Sequence, residues 1–542
     1  MKKAKKLTAV LLAALMAASA VSGCSQETAT ETSSAGTESS SGSSSSEASS
    51  SEAAPVEQEP VSLEGWGVAT FDGTTGIQSY NDQIAWKQIE EDTGIHVDWT
   101  ITTDGETQLG LLMASGDLPD IMVGVKAQLF EDYGMQGALM PLEDLIDQYI
   151  PSLQAIIEED PTVGGSITSA DGHIYFFPRV LGDVGTRCWA GWMIRGDWLE
   201  QVGMEVPTTT DELYEVLKAF KEQLGADRAL SGNPRSLIWA FGVGSRGEGN
   251  SVHDMFLEDG EIKFGPTDPR YREAAEYMNK LYSEGLLDPE WNTFTAGASS
   301  EQVRTGVMTD EVGVLYGSYS GVLGTNNSLM QQDRGVEPFI SMAPLAGPDG
   351  EAAIQGMHTS IDSGKGGAIA STTEHAEDIA RLFEYTYSDK RYELYFGTEG
   401  DTYTIEDGVY TYTDKVTKSN IGTMQYINNY IFDLSNYPSD YPLEVYQSIL
   451  TDEGKRGNEI TTEKCGDIKV PELRFSAEEN ARTTSLLRDI NTYVDENLAA
   501  FVNGERDFSE WDAYMDELES LGVSELVEIY NTSYQRFLEA TA

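Results

Sequence analysis

The stretch SGDLPDIMVGV, from Ser115 to Val125, carries the clearest fold signal in the chain. Its first six residues are typical of a turn, because Gly, Pro, Asp and Ser favour the backbone angles of chain reversals. The last five residues form a short apolar run, as in a strand buried on both faces. An apolar helical pattern through Leu109, Leu112 and Met113 precedes the turn. The segment therefore predicts a helix, a turn and a buried strand.

The residues before this stretch show the same alternation of strand and helix. Leu63 to Phe71 predicts a strand, and Asn81 can cap a helix that ends at Gly94. Ile95 to Ile101 alternates apolar and polar side chains, as a half-buried strand does. Alternating strands and helices favour an α/β fold.

The rest of the chain is rich in helix signals. Thr209 to Glu212 fits a capping box, Asp268 precedes a proline that starts a helix, and Ser476 opens a long C-terminal helix. The part of the chain after Val61, about 480 residues, exceeds one typical core and predicts two or more domains.

The N-terminus predicts export and anchoring. Residues 1–23 combine four lysines with a short apolar run, which is typical of a signal peptide. Cys24 directly follows Val-Ser-Gly, so this junction resembles a lipobox, in which the cysteine is lipidated. An ordinary signal peptide with an accidental cysteine is the alternative. Residues 24–60 are nearly all Ser, Glu, Thr, Ala and Gly, which predicts a disordered tether.

Charge and cysteine content narrow the class of protein further. The formal net charge is −55, which argues against binding nucleic acid or anionic lipid through bulk charge. Once Cys24 is used for lipidation, only Cys188 and Cys465 remain. Two distant cysteines can pair or stay as buried thiols, and the sequence does not decide between these.

A set of short motifs in order resembles the bacterial extracellular solute-binding proteins, family 1. The similar subgroup contains the large lipoprotein-type and alginate-binding sugar binders of ABC importers. The resemblance spans nearly all of residues 65–540, and its strength lies in the order and spacing of the motifs. They are Ser115–Asp120, Met140–Asp147, Asp171–Tyr175, Ile194–Leu199, Glu284–Glu290, Glu399–Thr404 and Glu510–Tyr514.

The resemblance implies a two-lobe periplasmic-binding-protein-like fold of type II, with a helix-rich second lobe and a ligand cleft between the lobes. Residues 61–181 plus about 339–399 are expected in the N-terminal α/β lobe. About 182–338 plus 400–542 are expected in the C-terminal lobe. The lobes are expected to close like a hinge around a carbohydrate, an oligosaccharide, which a monomer delivers to ABC permease subunits.

The same resemblance implies a binding protein without a cofactor. In the alginate-binding relatives a calcium loop follows the helix at Leu213, but Lys221–Leu230 lacks the alternating oxygen ligands. No metal site is therefore expected. The chain is expected at the extracellular face of the cell membrane, held there by its lipid alone.

Sugar sites combine aromatic platforms with planar polar side chains. Tyr319 is the leading candidate, because relatives carry a tryptophan at the position aligned with it. The other candidates are Tyr316, Trp189, Trp192, Trp239, Asp72, Asn81 and Arg195. Core packing is an equal alternative for the other aromatics. Cap or turn chemistry is the alternative for Asp72 and Asn81, and an ion pair for Arg195.

Catalytic signatures are missing from the sequence. There is no His-Glu-x-x-His, Cys-x-x-Cys, Gly-x-Ser-x-Gly or Walker A motif. A surface glycoside hydrolase or polysaccharide lyase stays open as an alternative, because inspection cannot exclude a pair of carboxylates among 90 acidic residues. A binding partner of a sensor kinase is the second alternative.

Overall fold

The computed structural model describes residues 61–542 apart from residues 70, 72–75, 233, 247–253, 295–296, 353–358 and 466–468. The signal, Cys24 and the tether lie outside the described residues. The strands are β1 Val61–Val68, β2 Ile95–Thr102, β3 Ile121–Val125, β4 Phe177–Val180, β5 Ala190–Arg195, β6 Met255–Glu258, β7 Glu261–Phe264, β8 Val314–Ser318, β9 Phe339–Ser341, β10 Ile361–Ile369, β11 Tyr403–Glu406 and β12 Val409–Tyr412.

Helices connect and cover these strands. They are α1 Ile84–Thr93, α2 Gly105–Ser115, α3 Ala127–Gly134, α4 Glu143–Tyr149, α5 Pro151–Glu159, α6 Pro161–Ile167, α7 Val184–Arg187, α8 Gly196–Val202, α9 Thr210–Ala219, α10 Pro269–Ser283, α11 Glu301–Met308, α12 Thr325–Arg334, α13 Ala376–Tyr387, α14 Arg391–Phe396, α15 Asp414–Thr417, α16 Thr423–Tyr426, α17 Leu443–Ser448, α18 Asp452–Thr462, α19 Ala477–Val502, α20 Trp511–Ser520 and α21 Val523–Ala540. In the described part of the chain, no helix has the length and hydropathy needed to cross a bilayer.

The first lobe is built on a five-stranded sheet with the order β2-β1-β3-β10-β4. β1 pairs in parallel with β2 and β3, and β10 runs antiparallel between β3 and β4. Every residue of β3 is buried, as is typical of a central strand in a sheet with helices on both faces. The predicted helix, turn and buried strand around residue 118 are confirmed, and so is the α/β class.

The second lobe is built on a three-stranded antiparallel sheet with the order β8-β5-β9. Its two faces contact different cores, because successive side chains of a strand point to opposite sides. Met193 joins the core that also contains the first sheet, called here the first core. Trp192 and Ile194 join the second core, which α10 and the C-terminal helices α19, α20 and α21 complete.

The expected lobe boundaries need two corrections. β9 pairs with β5, so residues 339–341 belong to the second lobe and not to the first. Residues 403–441 pack with the first lobe instead of the second: Phe432 and Tyr437 contact each other, and Tyr437 stacks on Phe383 of α13. These aromatic contacts bury that segment against the first sheet's helices.

Cys188 and Cys465 form a disulfide, which settles the alternative that the sequence left open. The bond joins the residue two before β5 to the segment after α18, and the two cysteines are 277 positions apart in the sequence. Asn458 of α18 reinforces the link, since its Nδ2 donates to the carbonyl oxygens of Gly185 at 2.8 Å and Cys188 at 3.0 Å. Helix α18 is therefore fixed to the chain that enters the second lobe.

Candidate functional site

The carboxyl edge of the first sheet faces the start of the second lobe. The parallel strands end at Val68, Thr102 and Val125, and β4 leads from Val180 through Leu181 towards β5. The chain passes from β1 to β2 on one side and then to β3 on the other, which is a switch point in strand order. Ligands of open α/β sheets bind outside such carboxyl ends. This edge is the candidate site.

Tyr80 and Asp433 form a buried polar frame at this edge. The Tyr80 hydroxyl lies 2.7 Å from the carbonyl oxygen of Val68 and 3.3 Å from Asp433 Oδ2. The Asp433 carboxylate also accepts from Asn436 Nδ2 at 2.9 Å and from the Ser435 backbone N–H at 3.1 Å. Burial raises the pKa of Asp433 to about 6, against the hydrogen bonds that favour its charge. The frame holds residues 433–436 against the end of β1.

A bulge in β10 places Lys365 at the same edge. β10 pairs regularly with β4 at Asp362 and again at Gly366, and the register shifts between them. Gly366 lies opposite Val125, so Lys365 sits just past the end of β3. Bulges re-aim side chains and occur often beside functional sites. Lys365 is half-buried.

Lys365 stands among charges that are already paired. Arg179 bonds Asp362 at 3.1 Å, and the other Asp362 oxygen accepts from the Gly364 backbone N–H at 3.0 Å. The exposed Lys126 pairs with Glu106 at 2.8 Å. Burial lowers the pKa of Lys365, while Asp362 and Asp433 oppose this shift. Within the described ranges, the Lys365 ammonium makes no hydrogen bond or ion pair.

Trp189 directly precedes β5, at the entry to the second lobe. Its backbone oxygen accepts from the Tyr319 backbone N–H at 3.0 Å and from the Tyr446 hydroxyl at 3.2 Å. Its ring is only partly buried and packs against both the first and the second core. Of the aromatic residues predicted for the site, Trp189 is the one that keeps an accessible ring where the two cores meet.

Tyr319 lies in the interior instead of the cleft. Its side chain is fully buried and its hydroxyl lies 2.5 Å from Thr461 Oγ1. The side chain fills the space beside Gly191 and Gly457, where a Cβ atom would lie 1.9 Å from the Tyr319 hydroxyl oxygen and 2.4 Å from a ring carbon, respectively. The expectation of an open ring is corrected here: the room comes from glycines that let β5 and α18 approach the ring.

Three further predicted aromatics form one cluster in the second core. Trp192 meets Tyr316 edge-on at 5.2 Å, and Trp239 meets Tyr316 at 5.4 Å between ring centroids. Trp239 also donates from Nε1 to the Ser245 carbonyl oxygen at 3.1 Å. All three rings are buried, so they pack the core beneath β5 and offer no face to a ligand in this conformation.

The predicted polar residues take local structural roles where the structure describes them. Arg195 is buried. Its guanidinium donates two hydrogen bonds to the Asp197 carboxylate, at 2.7 and 2.6 Å, and one to Asp310 at 2.8 Å. This is the ion pair that was its alternative. Asn81 donates to the Val97 carbonyl oxygen at 2.8 Å and so ties a turn to β2. Asp72 lies outside the described residues.

Sequence reasoning missed Lys365 and Asp433, and it did not single out the half-buried ring of Phe71 at the end of β1. Phe71 meets Tyr80 edge-on at 5.7 Å. A signal for Lys365 was present, because Gly364, Gly366 and Gly367 surround it, and glycine inside a strand indicates a bulge. No comparable local signal marks Asp433.

Two lobes on separate sheets, with polar and aromatic side chains where they meet, define a binding protein of the periplasmic type. The chain belongs to the family described as bacterial extracellular solute-binding protein, whose model matches residues 73–391. It is therefore a solute-binding protein and not an enzyme, and the hydrolase or lyase alternative is wrong.

Relatives match along most of the chain. The fructooligosaccharide ABC transporter substrate-binding protein FusA of Streptococcus pneumoniae is 27% identical over 516 residues, covering 84% of this chain and 87% of the relative. Lipoprotein LipO of Bacillus subtilis is 24% identical and covers 83% and 88%. The crystal structure of alginate-binding protein AlgQ2 without calcium ion superimposes with a TM-score of 0.68 at 25% identity, over 88% of this chain and 98% of that one.

Proposed function

We propose that this protein is the carbohydrate-binding lipoprotein of an ABC importer. It captures an oligosaccharide at the carboxyl edge of the first sheet and acts as a monomer by hinge closure. Two observations support this most: the partly buried Trp189 side chain where the two cores meet, and the polar frame at Asp433 at the end of β1. Sugars offer flat C–H faces and many hydroxyls, so they need such a pair of surfaces.

The relatives support the same proposed function. FusA is a substrate-binding protein for fructooligosaccharides and AlgQ2 binds alginate, so sugar binders recur among proteins that resemble this chain along most of its length. Both names describe those proteins. For this chain they favour a saccharide over a peptide, and an importer over a sensor kinase as the partner.

A thermal-shift screen tests the ligand class. A ligand that binds only the folded state raises the melting temperature by mass action, by an amount that grows with its concentration. We expect at least one oligosaccharide to raise the melting temperature, and peptides of similar size to leave it unchanged. A shift with peptides and none with any saccharide would contradict the proposal.

Cys24 provides a separate test of the membrane anchor. The lipobox-like junction and the tether composition support lipidation of this cysteine. Changing Cys24 to Ala should move the protein from the membrane fraction to the soluble fraction of cells. Cys188→Ser is the matched control. Cys188 forms the disulfide and carries no lipid, so its substitution should leave the protein in the membrane fraction. A Cys24→Ala protein that stays with membranes would exclude the lipid anchor.

A further inference from the structure

We propose that Lys365 determines the ligand class, by binding a carboxylate of an acidic oligosaccharide, one that contains uronic acid residues. This inference rests on the proposed function, because it places the ligand at the carboxyl edge of the first sheet. It gives a partner to a half-buried cation at that edge that makes no hydrogen bond or ion pair within the described part of the chain.

The position of Lys365 is set by the backbone and not by chance on a flexible loop. β10 is held by pairs on both sides, to β3 at Gly366 and to β4 at Asp362. The Gly364 backbone N–H bonds Asp362 Oδ1 at 3.0 Å and closes the bulge between these pairs. A lysine fixed at its backbone loses less entropy on binding than one on a mobile loop.

The neighbouring acids are occupied by other donors. Both oxygens of Asp433 accept hydrogen bonds from Asn436, and both oxygens of Asp362 are held by Arg179 and Gly364. The Lys365 ammonium has three N–H donors to offer and lies within 4.0 Å of no described carboxylate. An incoming oxygen acceptor is thus the natural partner of these donors.

Burial of the Lys365 ammonium favours a negative partner. Desolvation is the largest influence on the Lys365 pKa and lowers it, so the attraction of Asp362 and Asp433 does not offset burial. Closure of a second lobe over the site would remove more water from the ammonium. A neutral ligand would offer the ammonium only neutral acceptors, whereas a carboxylate would form a direct ion pair with it.

The acidic surface of the protein does not oppose this pairing at contact distance. A net charge of −55 slows the approach of an anion, but salt screens charges that lie more than about 8 Å apart at physiological ionic strength. A direct ion pair in a half-buried site is screened much less. The bulk charge therefore affects association rate more than the choice of ligand.

Titration calorimetry with matched ligands tests the proposal. The probes are trimers of galacturonate, glucuronate and mannuronate, the methyl esters of each, and neutral fructo- and malto-oligosaccharides. We expect a uronate trimer to bind wild-type protein at least tenfold more tightly than its methyl ester. Lys365→Met should weaken that trimer about tenfold to a hundredfold, while the ester, which has no charge to lose, changes by less than threefold.

Two further variants control for other effects. Lys365→Arg keeps the charge and should retain the preference for the acid over the ester. Lys126→Met removes a nearby exposed cation and should change the affinity for the acid by less than threefold. The melting temperature of each empty variant should match the wild type, because neither lysine bonds to the core.

The outcomes distinguish failure of the role of Lys365 from failure of the proposed function. If neutral saccharides bind and Lys365→Met leaves every affinity unchanged, the role of Lys365 is overturned while carbohydrate binding stands. If uronates and their esters bind equally, the acidic ligand class is overturned. If no saccharide binds and another solute does, the proposed function itself fails and this inference fails with it.

Discussion

Tyr319 was the leading candidate for the ligand site, but the structure places its side chain in the core. Its ring is fully buried between Gly191 and Gly457, and its hydroxyl bonds Thr461. We expect Tyr319→Ala to lower the free energy of unfolding by about 3–5 kcal/mol, because it leaves a cavity the size of an aromatic ring. Chemical denaturation of the empty protein measures this. Tyr319→Phe keeps the ring and should cost only about 1 kcal/mol.

An opposite result would restore the first expectation for this residue. If Tyr319→Ala kept full stability and lost ligand binding, the ring would face the cleft in another conformation. Sequence could not settle this beforehand. The serines and glycines around Tyr319 reveal how much space surrounds it, but not which element fills that space.

Trp189 is the contrasting residue, since its ring is partly exposed where the two cores meet. We expect Trp189→Ala to weaken oligosaccharide binding by about tenfold or more, as truncation of a central aromatic contact does. Calorimetry with the best ligand of the thermal-shift screen provides the measurement. Trp192→Phe is the matched control: it should lower stability and leave affinity unchanged, because Trp192 is buried in the second core.

At the scale of elements, the disulfide between Cys188 and Cys465 fixes helix α18 to the entry of β5. A bond that closes a loop of this length restricts the unfolded chain, and its loss costs about 2–5 kcal/mol. The Cys188→Ser, Cys465→Ser double variant should unfold at lower denaturant concentration than wild type by that amount. Cys24→Ser should unfold like wild type. Equal midpoints for all three proteins would contradict a stabilising role.

Local signals predicted many elements and few of the contacts between them. The Thr209 side chain accepts from the Glu212 backbone N–H, and Ser476 forms a full capping box, as their spacing predicted. A cap depends only on residues three apart, so sequence suffices. Lys365 and Lys126 meet at one edge through pairing of β10 with β3, and no local pattern encodes that pairing.

The two lobes meet at a buried ion pair away from the candidate site. Glu131 Oε1 of α3 lies 3.0 Å from Nε of Arg474, which precedes α19. The two side chains are buried, with exposed fractions of 1% and 6%, respectively. Arg474 also stacks over Phe176, and Asn480 bonds Asp132 at 3.1 Å. Burial raises the pKa of Glu131 to about 7, with the charge of Arg474 opposing the shift.

The raised pKa of Glu131 predicts a pH dependence of the whole molecule. Between about pH 4.5 and 7 the folded state binds more protons at this carboxyl than the unfolded state. The free energy of unfolding therefore falls as pH rises through this window, by on the order of 2–3 kcal/mol from this group. Glu131→Gln should lose that slope. Urea denaturation from pH 4.5 to 8 measures it.

The control for this prediction is Asp433→Asn. Burial raises the pKa of Asp433 as well, to about 6, so this carboxyl contributes a slope of the same sign over a lower pH range. The two variants should therefore flatten different parts of the stability curve. A Glu131→Gln curve that keeps the wild-type slope above pH 6 would show that the buried pair does not take up a proton.

The place of β10 in the first sheet sets the order in which the chain can fold. β10 lies between β3 and β4, yet it follows β4 in sequence by about 180 residues, and β4 has no other neighbour in the sheet. A chain that leaves an export channel N-terminus first therefore presents β1 to β4 long before their central partner emerges. The first lobe stays incomplete until residue 441 is outside, because residues 403–441 also pack in it. Pairing between such distant segments is slow, so folding of the first lobe depends on long-range contacts more than on its local elements.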